Sequence, residues 1–260
     1  MGNLHAIQSF IKYQLKAQNA HGLHSPFVFD LFTQVIEPQK KYYAFDEIEG
    51  VRKKLLKDQR TIKVEDFGAG SKNQPSSERR LADIAKYSIS KPKLGRLMFK
   101  LADYFKPETI LELGTCLGIN TLYLAKGYHK STIFTFEGCP ELVKIAAKNF
   151  KEMKVKPRIS TGNLDETLKP AVKKLTEVDM VFFDANHQYQ PTINYFKICL
   201  EKAHENSVFI FDDIYWSEGM TKAWEEIKAH QQVTLSVDLF QIGIVFFREK
   251  QPKQHFTLRF

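Results

Sequence analysis

From residue 109 onward the chain alternates short apolar runs with amphipathic stretches. The runs Thr109–Leu113, Thr132–Phe136, Pro157–Thr161, Asp179–Asp184 and Ser207–Phe211 predict strands. Between them, Asn120–Gly127, Pro140–Phe150, Asp165–Leu175 and Pro191–His204 predict helices. Strand, helix, strand at this spacing means βαβ units and a parallel sheet covered on both faces. A further helix, Glu218–His230, precedes two more strands, Val233–Leu239 and Ile242–Arg248. The few residues around Gln241 are too short for a parallel crossover. The last two strands should therefore pair as a hairpin, with one strand antiparallel at or near the sheet edge. The expectation is α/β: a doubly wound, seven-stranded, Rossmann-like sheet.

The earlier part of the chain has a different pattern. Leu4, Ile7, Phe10, Ile11 and Leu15 recur at helical spacing within Leu4–Ala20. The segment His21–Pro26 breaks that pattern, and Phe27–Val35 predicts a short helix. Gly68, Gly70, Pro75 and several Ser and Asn residues make Val64–Glu78 a loop. Ser77–Tyr87 and Pro92–Phe105 predict two more helices. In the second, Leu94, Leu97, Met98, Leu101, Ala102 and Phe105 share one face. No low-complexity linker and no internal repeat interrupts the sequence. Residues 1–90 are thus expected to be a helical cap or extension packed on the α/β domain at 91–260, over the carboxyl ends of its strands.

Composition narrows the class. With 260 residues, 43% of them hydrophobic and 21 of them Phe, the chain can bury a large core. No apolar run reaches the ~18–20 residues of a membrane span. The N-terminus lacks the apolar core of a secretory signal, and Ala6 stands where a myristoylation motif needs Ser or Thr. Cys116, Cys139 and Cys199 are isolated, which suits a reducing cytoplasm. The net charge of +8 is uneven: residues 1–108 hold 19 Lys/Arg against 12 Asp/Glu, and the remainder is nearly balanced. That excess suggests an acidic partner near the N-terminal part, RNA included; a homodimer is left open.

The chemistry lies at the strand ends. The first strand runs into Glu112-Leu-Gly114-Thr-Cys-Leu-Gly118 and then a helix. Two glycines there permit a tight turn, and the helix start offers free N–H groups to an anion. The second strand ends in Glu137, a carboxylate able to accept two ribose hydroxyls. In order on one βαβ unit, these pieces favour a nucleoside-containing cofactor. The spacing Gly-x-x-x-Gly argues against a nicotinamide-dependent oxidoreductase. The pattern resembles the class I S-adenosylmethionine-dependent methyltransferases. That resemblance implies that Gly114 and Gly118 lie in the turn cradling the methionine end, with Glu112 near its ammonium and Glu137 on the ribose. It also implies that Gly162 and Asn163 lie at the adenine.

The fourth strand closes in Phe183-Asp184-Ala-Asn-His187-Gln-Tyr189, the fifth in Phe211-Asp212-Asp213. Adjacent parallel strands lie ~4.8 Å apart, so the three acids can converge at one carboxyl edge. They repel unless neutralised, and oxygen ligands without thiolates suit Mg²⁺ or a similar divalent cation. Asp-x-x-His-x-Tyr followed by Asp-Asp resembles the metal-dependent O-methyltransferases of the macrocin type, relatives of catechol O-methyltransferase. The resemblance covers about residues 90–248. It implies that Asp184, Asp212 and Asp213 bind the metal, that Asp184 also borders the cofactor, and that His187 is the general base. Ala185 replaces a usual glycine, and Asp213 stands where the catechol branch has Asn. The implied acceptor is a small hydroxylated molecule; a hydroxylated tRNA base and a catalytically silent cofactor-binding protein are the alternatives. Trp216 is a candidate for shaping the acceptor pocket, and Glu65–Ser71 for a substrate loop. The histidines at 5, 21 and 24 read as anchors of the N-terminal helix rather than as a metal site.

Overall fold

The computed structural model describes residues 2–38, 40–65 and 77–260. Helix α1 (Gly2–Lys16) is followed by α2 (Pro26–Leu31), which widens into a π-helical turn at Phe32–Ile36. Ser25 caps α2 and Pro26 occupies its first position, where a missing N–H costs nothing. Next come α3 (Tyr43–Leu56), β1 (Thr61–Lys63), β2 (Glu78–Arg80), α4 (Leu81–Tyr87) and α5 (Pro92–Phe105). Four strand–helix pairs succeed them: β3 (Thr109–Leu113) and α6 (Ile119–Gly127), β4 (Thr132–Glu137) and α7 (Pro140–Glu152), β5 (Arg158–Thr161) and α8 (Leu164–Lys173), β6 (Met180–Phe183) and α9 (Tyr189–Leu200). The described chain closes with β7 (Val208–Asp212), α10 (Glu218–Ala229), β8 (Leu235–Asp238), β9 (Ile242–Phe246) and β10 (Gln254–Thr257).

The chain divides into two compact units, residues 39–170 and residues 1–38 with 171–260. In the first, β3, β4 and β5 run parallel, with Glu112 level with Thr135 and Glu137 level with Thr161. Ile110, Leu111 and Leu113 are buried, as strands covered on both faces require. Helix α5 buries Leu94, Leu97, Met98, Leu101 and Ala102, the face read from the sequence, and packs along α6. Helix α3 packs on α4 and α6. Strands β1 and β2 form a separate antiparallel pair.

In the second unit the strand order is β10-β8-β9-β7-β6. Strand β7 is parallel to β6, while β9 runs antiparallel to both β7 and β8. The β8–β9 hairpin closes through Leu239–Gln241, with Phe240 in the left-handed region at φ 68°. This bears out the hairpin expected around Gln241. Helix α1 packs on α10 and on the turn at the carboxyl end of β8. His5 Nε2 is 2.9 Å from Thr221 Oγ1, and the Phe10 and Tyr13 rings pack on Phe240 at 5.0 and 5.3 Å. The Tyr13 hydroxyl donates to the Leu258 carbonyl at 2.6 Å, which fastens α1 to the end of the chain.

Together these elements are a Rossmann-like α/β sheet with an N-terminal helical extension. Three expectations need correction. Beside the β1–β2 pair, residues 39–170 hold three sheet strands and residues 171–260 five, eight against the expected seven, because β10 adds parallel to β8. Its Gln-His-Phe-Thr sequence is polar because only one neighbour covers it. The stretch Ser77–Tyr87 begins as strand β2 and becomes helical only at Leu81. Helix α3 was not anticipated, although Ala44, Ile48, Val51 and Leu55 form its buried stripe. Of the Glu65–Ser71 segment, only Glu65 lies within the described residues. Among the described residues no helix is long and apolar enough to cross a membrane.

Candidate active site

The turn after β3 is built on left-handed backbone. Gly114 has φ 103°, Cys116 φ 49° and Gly118 φ 81°. A side chain at Gly118 would be strained by that φ, and its Cβ would come within 2.5 Å of the Phe150 ring. Glu137 ties the turn down: its carboxylate accepts from the Cys116 N–H at 2.8 Å and the Cys139 N–H at 2.9 Å. Those two bonds leave further lone pairs on the same oxygens. Glu112 is fully buried beneath the turn. Its Oε2 accepts from Thr121 Oγ1 at 2.5 Å and Thr135 Oγ1 at 2.6 Å, while its Oε1 has no partner. Burial pushes the Glu112 carboxyl up to about 7, against the pull of the two hydroxyls. An open buried acceptor below a glycine turn suits a ligand that brings an ammonium. Beyond β5, Gly162 has φ 129° and its N–H reaches the Glu137 carbonyl. Asn163 Oδ1 accepts from the Asp165 N–H at 3.0 Å at the start of α8.

The second set of acids follows from register in the other unit. Phe183 on β6 is level with Phe211 on β7, and the two rings stack at 4.2 Å. The next residue on each strand is an aspartate, so Asp184 and Asp212 arrive side by side. Asp184 hydrogen-bonds to Asp212. Burial raises the Asp212 carboxyl to about 8, with Asp213 adding repulsion and the Asp184 bond opposing. Burial also raises Asp213, whose backbone is left-handed at φ 54°. His187 Nε2 lies 3.5 Å from Asp184 Oδ1, at the limit of a hydrogen bond. Its pKa is lowered by burial, against the attraction of Asp213. Asn186 and His187 both have positive φ, and a short turn from the Ala185 carbonyl to the His187 N–H holds them there. Strain of this kind persists only where surrounding structure imposes it.

The structure brings Asp184, Asp212, Asp213 and His187 into one cluster, and sets Glu112 on β3 and Glu137 on β4 around the turn that holds Gly114 and Gly118. Among the described residues no group of three or more His, Cys, Asp or Glu side chains is arranged to hold a metal ion. Burial raises the Asp212 and Asp213 carboxyls, so positive charge at this cluster would favour their ionised forms. Trp216 is exposed, three residues beyond Asp213. The sequence reading missed Thr121 and Thr135, the donors to Glu112. Thr135 was traceable only through strand register, and Thr121 only through its place in the first turns of α6. It also missed Tyr215, whose hydroxyl donates to Asp238 at 2.5 Å and so moors the loop carrying Asp213.

Residues 111–214, which span both clusters, match a family of sequences described as a methyltransferase domain. The chain has the class I methyltransferase fold. Within that class it resembles the O-methyltransferases. A catechol O-methyltransferase from Niastella koreensis is 28% identical over 139 residues, covering 52% of this chain and 62% of its own length. This chain thus spans less than two thirds of that relative. A Podospora anserina methyltransferase solved with S-adenosylhomocysteine superposes with a TM-score of 0.61 at 18% identity, covering 87% of this chain and 98% of its own. An O-methyltransferase from Bacillus cereus, also solved with S-adenosylhomocysteine, gives 0.56 at 19% identity, covering 81% and 93%. At these identities the methyltransferase likeness of the solved structures concerns the fold.

Proposed function

We propose that this chain is an S-adenosylmethionine-dependent O-methyltransferase acting on a small hydroxylated molecule, with a divalent cation held by Asp184, Asp212 and Asp213. The observation that carries the reading is the hydrogen-bonded pair of aspartates on adjacent strand ends, one of them buried, joined by a third acid and a histidine. Such a cluster is costly as a structural element and useful as a cation and proton site. When bound, S-adenosylmethionine supplies an electrophilic methyl group on a sulfonium. A divalent cation held by Asp184, Asp212 and Asp213 would supply positive charge beside the acceptor's hydroxyl.

The chain's own residues do the rest. His187 is favoured in its neutral form by burial, so its ring nitrogen is free to take the acceptor's hydroxyl proton. Asp213 attracts the imidazolium once it forms. The positive φ of Asn186 and His187 fixes where that imidazole stands. Glu137 would accept hydroxyls of a ribose while keeping its two backbone bonds, and Glu112 would meet an ammonium with its open oxygen. Transfer then depends on holding oxygen and methyl carbon at ~3–3.5 Å.

Calorimetry with S-adenosylmethionine, followed by methyl transfer to a panel of catechols with and without chelator, tests the reading. Cofactor binding with chelator-sensitive O-methylation is expected. No binding of the methyl donor would overturn the cofactor reading. Full activity in chelator would overturn the cation alone.

A further inference from the structure

We propose that Tyr215 is a positioning residue for the cation site: its hydrogen bond to Asp238 holds Asp213 in the left-handed backbone that keeps this acid with Asp212 and His187. The inference rests on the cation reading above and adds to it a residue outside the acids themselves.

Asp213 has φ 54° without a glycine's freedom, and such backbone persists only where its surroundings impose it. Two contacts depend on it. The Asp213 N–H donates to the Asp212 carboxylate, and the Asp213 carboxylate draws the His187 imidazolium. A change in φ rotates the side chain about the N–Cα bond. With the N–H kept on Asp212, relaxation to an ordinary negative φ would therefore swing the Asp213 carboxylate away from His187.

The constraint comes from the loop that follows. Ile214 is fully buried, and the Trp216 N–H closes a turn on the Asp213 carbonyl at 2.9 Å. The Thr221 hydroxyl reaches the Ile214 carbonyl at 3.3 Å, but the Ser217 carbonyl lies nearer at 3.1 Å. One hydroxyl has one proton, so that tie to the loop is weak. The Tyr215 hydroxyl reaches Asp238 Oδ2 at 2.5 Å, the distance of a charge-assisted bond. Asp238 is itself well held. It is buried at the end of β8, and its Oδ1 accepts from the Phe240 N–H at 2.8 Å. An asparagine would serve that N–H equally well; the carboxylate adds a stronger acceptor for Tyr215. The Tyr215 ring stacks on Phe240 at 5.4 Å, and Phe240 packs in turn on Phe10 and Tyr13 of α1. One side chain thus anchors the loop bearing Asp213 to the β8–β9 turn, which α1 braces.

Tyr215→Phe keeps the ring on Phe240 and removes the tie. Two measurements on the full chain read the consequence, and neither is methyl transfer. In hydrogen exchange, peptides covering residues 213–217 should exchange ~10-fold faster in the variant, with β6, β7 and β8 unchanged. With Mn²⁺ alone as the probe, paramagnetic resonance should show a dissociation constant raised ~10-fold, the low end of what a hydrogen bond to a charged group contributes. Asp238→Asn keeps a partner for both groups, its oxygen for the Phe240 N–H and its NH₂ for the Tyr215 oxygen. It should therefore hold Mn²⁺ within ~3-fold of the wild type. A merely structural role would lower the melting temperature and speed exchange throughout residues 171–260 while the Mn²⁺ constant stayed put. Unchanged exchange at 213–217, an unchanged Mn²⁺ constant, or an Asp238→Asn variant as weak as Tyr215→Phe would each overturn the role of Tyr215 alone. A wild type that takes up no Mn²⁺ would overturn the cation reading, and this inference with it.

Discussion

The carboxylates of the two units are satisfied in opposite ways. In residues 39–170, Glu112 and Glu137 take their hydrogen bonds from neutral donors, two threonine hydroxyls and two backbone N–H groups. In residues 171–260, Asp184 hydrogen-bonds to Asp212 and lies 3.5 Å from His187, while Asp213 repels Asp212 and attracts His187. Neutral donors let an acid be buried and still shape a turn, with Glu112 Oε1 left as the open acceptor there. Burial raises the Asp212 and Asp213 carboxyls and Asp213 adds repulsion at Asp212, so positive charge brought to this set would favour the ionised forms. The first arrangement suits recognition of a ligand, the second suits chemistry on one.

If that contrast is right, damage to the second set should cost turnover and damage to the first should cost affinity. The largest effect is expected from Asp184→Ala: chelator-sensitive methyl transfer should fall below detection while the dissociation constant for S-adenosylmethionine stays within several-fold. Retained activity would remove Asp184 from the catalytic centre. His187→Gln should lower kcat by ~10²–10⁴-fold with a small effect on cofactor affinity. Because burial lowers the His187 pKa, the acid limb of the wild-type pH–rate profile should lie below that of an ordinary imidazole. In the variant that limb should vanish, which steady-state rates between about pH 4.5 and 8 would record.

The contrast was only partly legible in the sequence. Acids that end apolar runs stand out, because a strand buried on both faces is a nearly unbroken hydrophobic word and the first charge after it marks the edge. That is why Glu112, Glu137, Asp184 and Asp212 could be picked out, and why the strands β3 to β9 fell within two residues of their expected bounds. What surrounds those acids was not legible. Thr135 reaches Glu112 because the two are level across β3 and β4, and no local pattern carries register. The left-handed backbone at Asn186, His187 and Asp213 is imposed by tertiary structure on residues with no glycine to announce it. Helix α3 hid its stripe among Asp46, Glu47, Glu49, Arg52, Lys53 and Lys54 around Gly50, and β10 hid in the polarity that an edge strand needs.

Glu137→Ala sharpens the contrast from the other side. It removes an acceptor for a bound hydroxyl pair and frees the Cys116 and Cys139 N–H groups. Hydrogen bonds to a charged group contribute about 1.5–3 kcal/mol, so affinity for S-adenosylmethionine should weaken by roughly 10- to 100-fold. With saturating cofactor, kcat should be nearly restored. A variant that lost kcat at saturation but kept its affinity would reverse the division of labour between the two sets of acids.

The smallest effect is expected at Glu112, and it concerns stability in the free protein. Its carboxyl is raised by burial to about 7, from an ordinary value of 4.5 in the unfolded chain. Between those two values the folded state holds a proton that the unfolded state has released. Stability is therefore full below pH 4.5 and declines as pH rises towards 7. The limit set by the shift is on the order of 3 kcal/mol, and over the accessible window a loss of about 1–2 kcal/mol is expected, a few degrees in melting temperature. Glu112→Gln keeps the size of the side chain, cannot ionise, and should flatten the slope over about pH 5 to 7 in urea titrations. S-adenosylmethionine would act in the same direction if its ammonium meets the open Oε1, because a nearby cation favours the carboxylate and lowers its pKa. The wild-type slope should then shrink on adding the methyl donor, and the Glu112→Gln slope should not respond. A wild-type slope that ignores the donor would place the ammonium elsewhere in the turn.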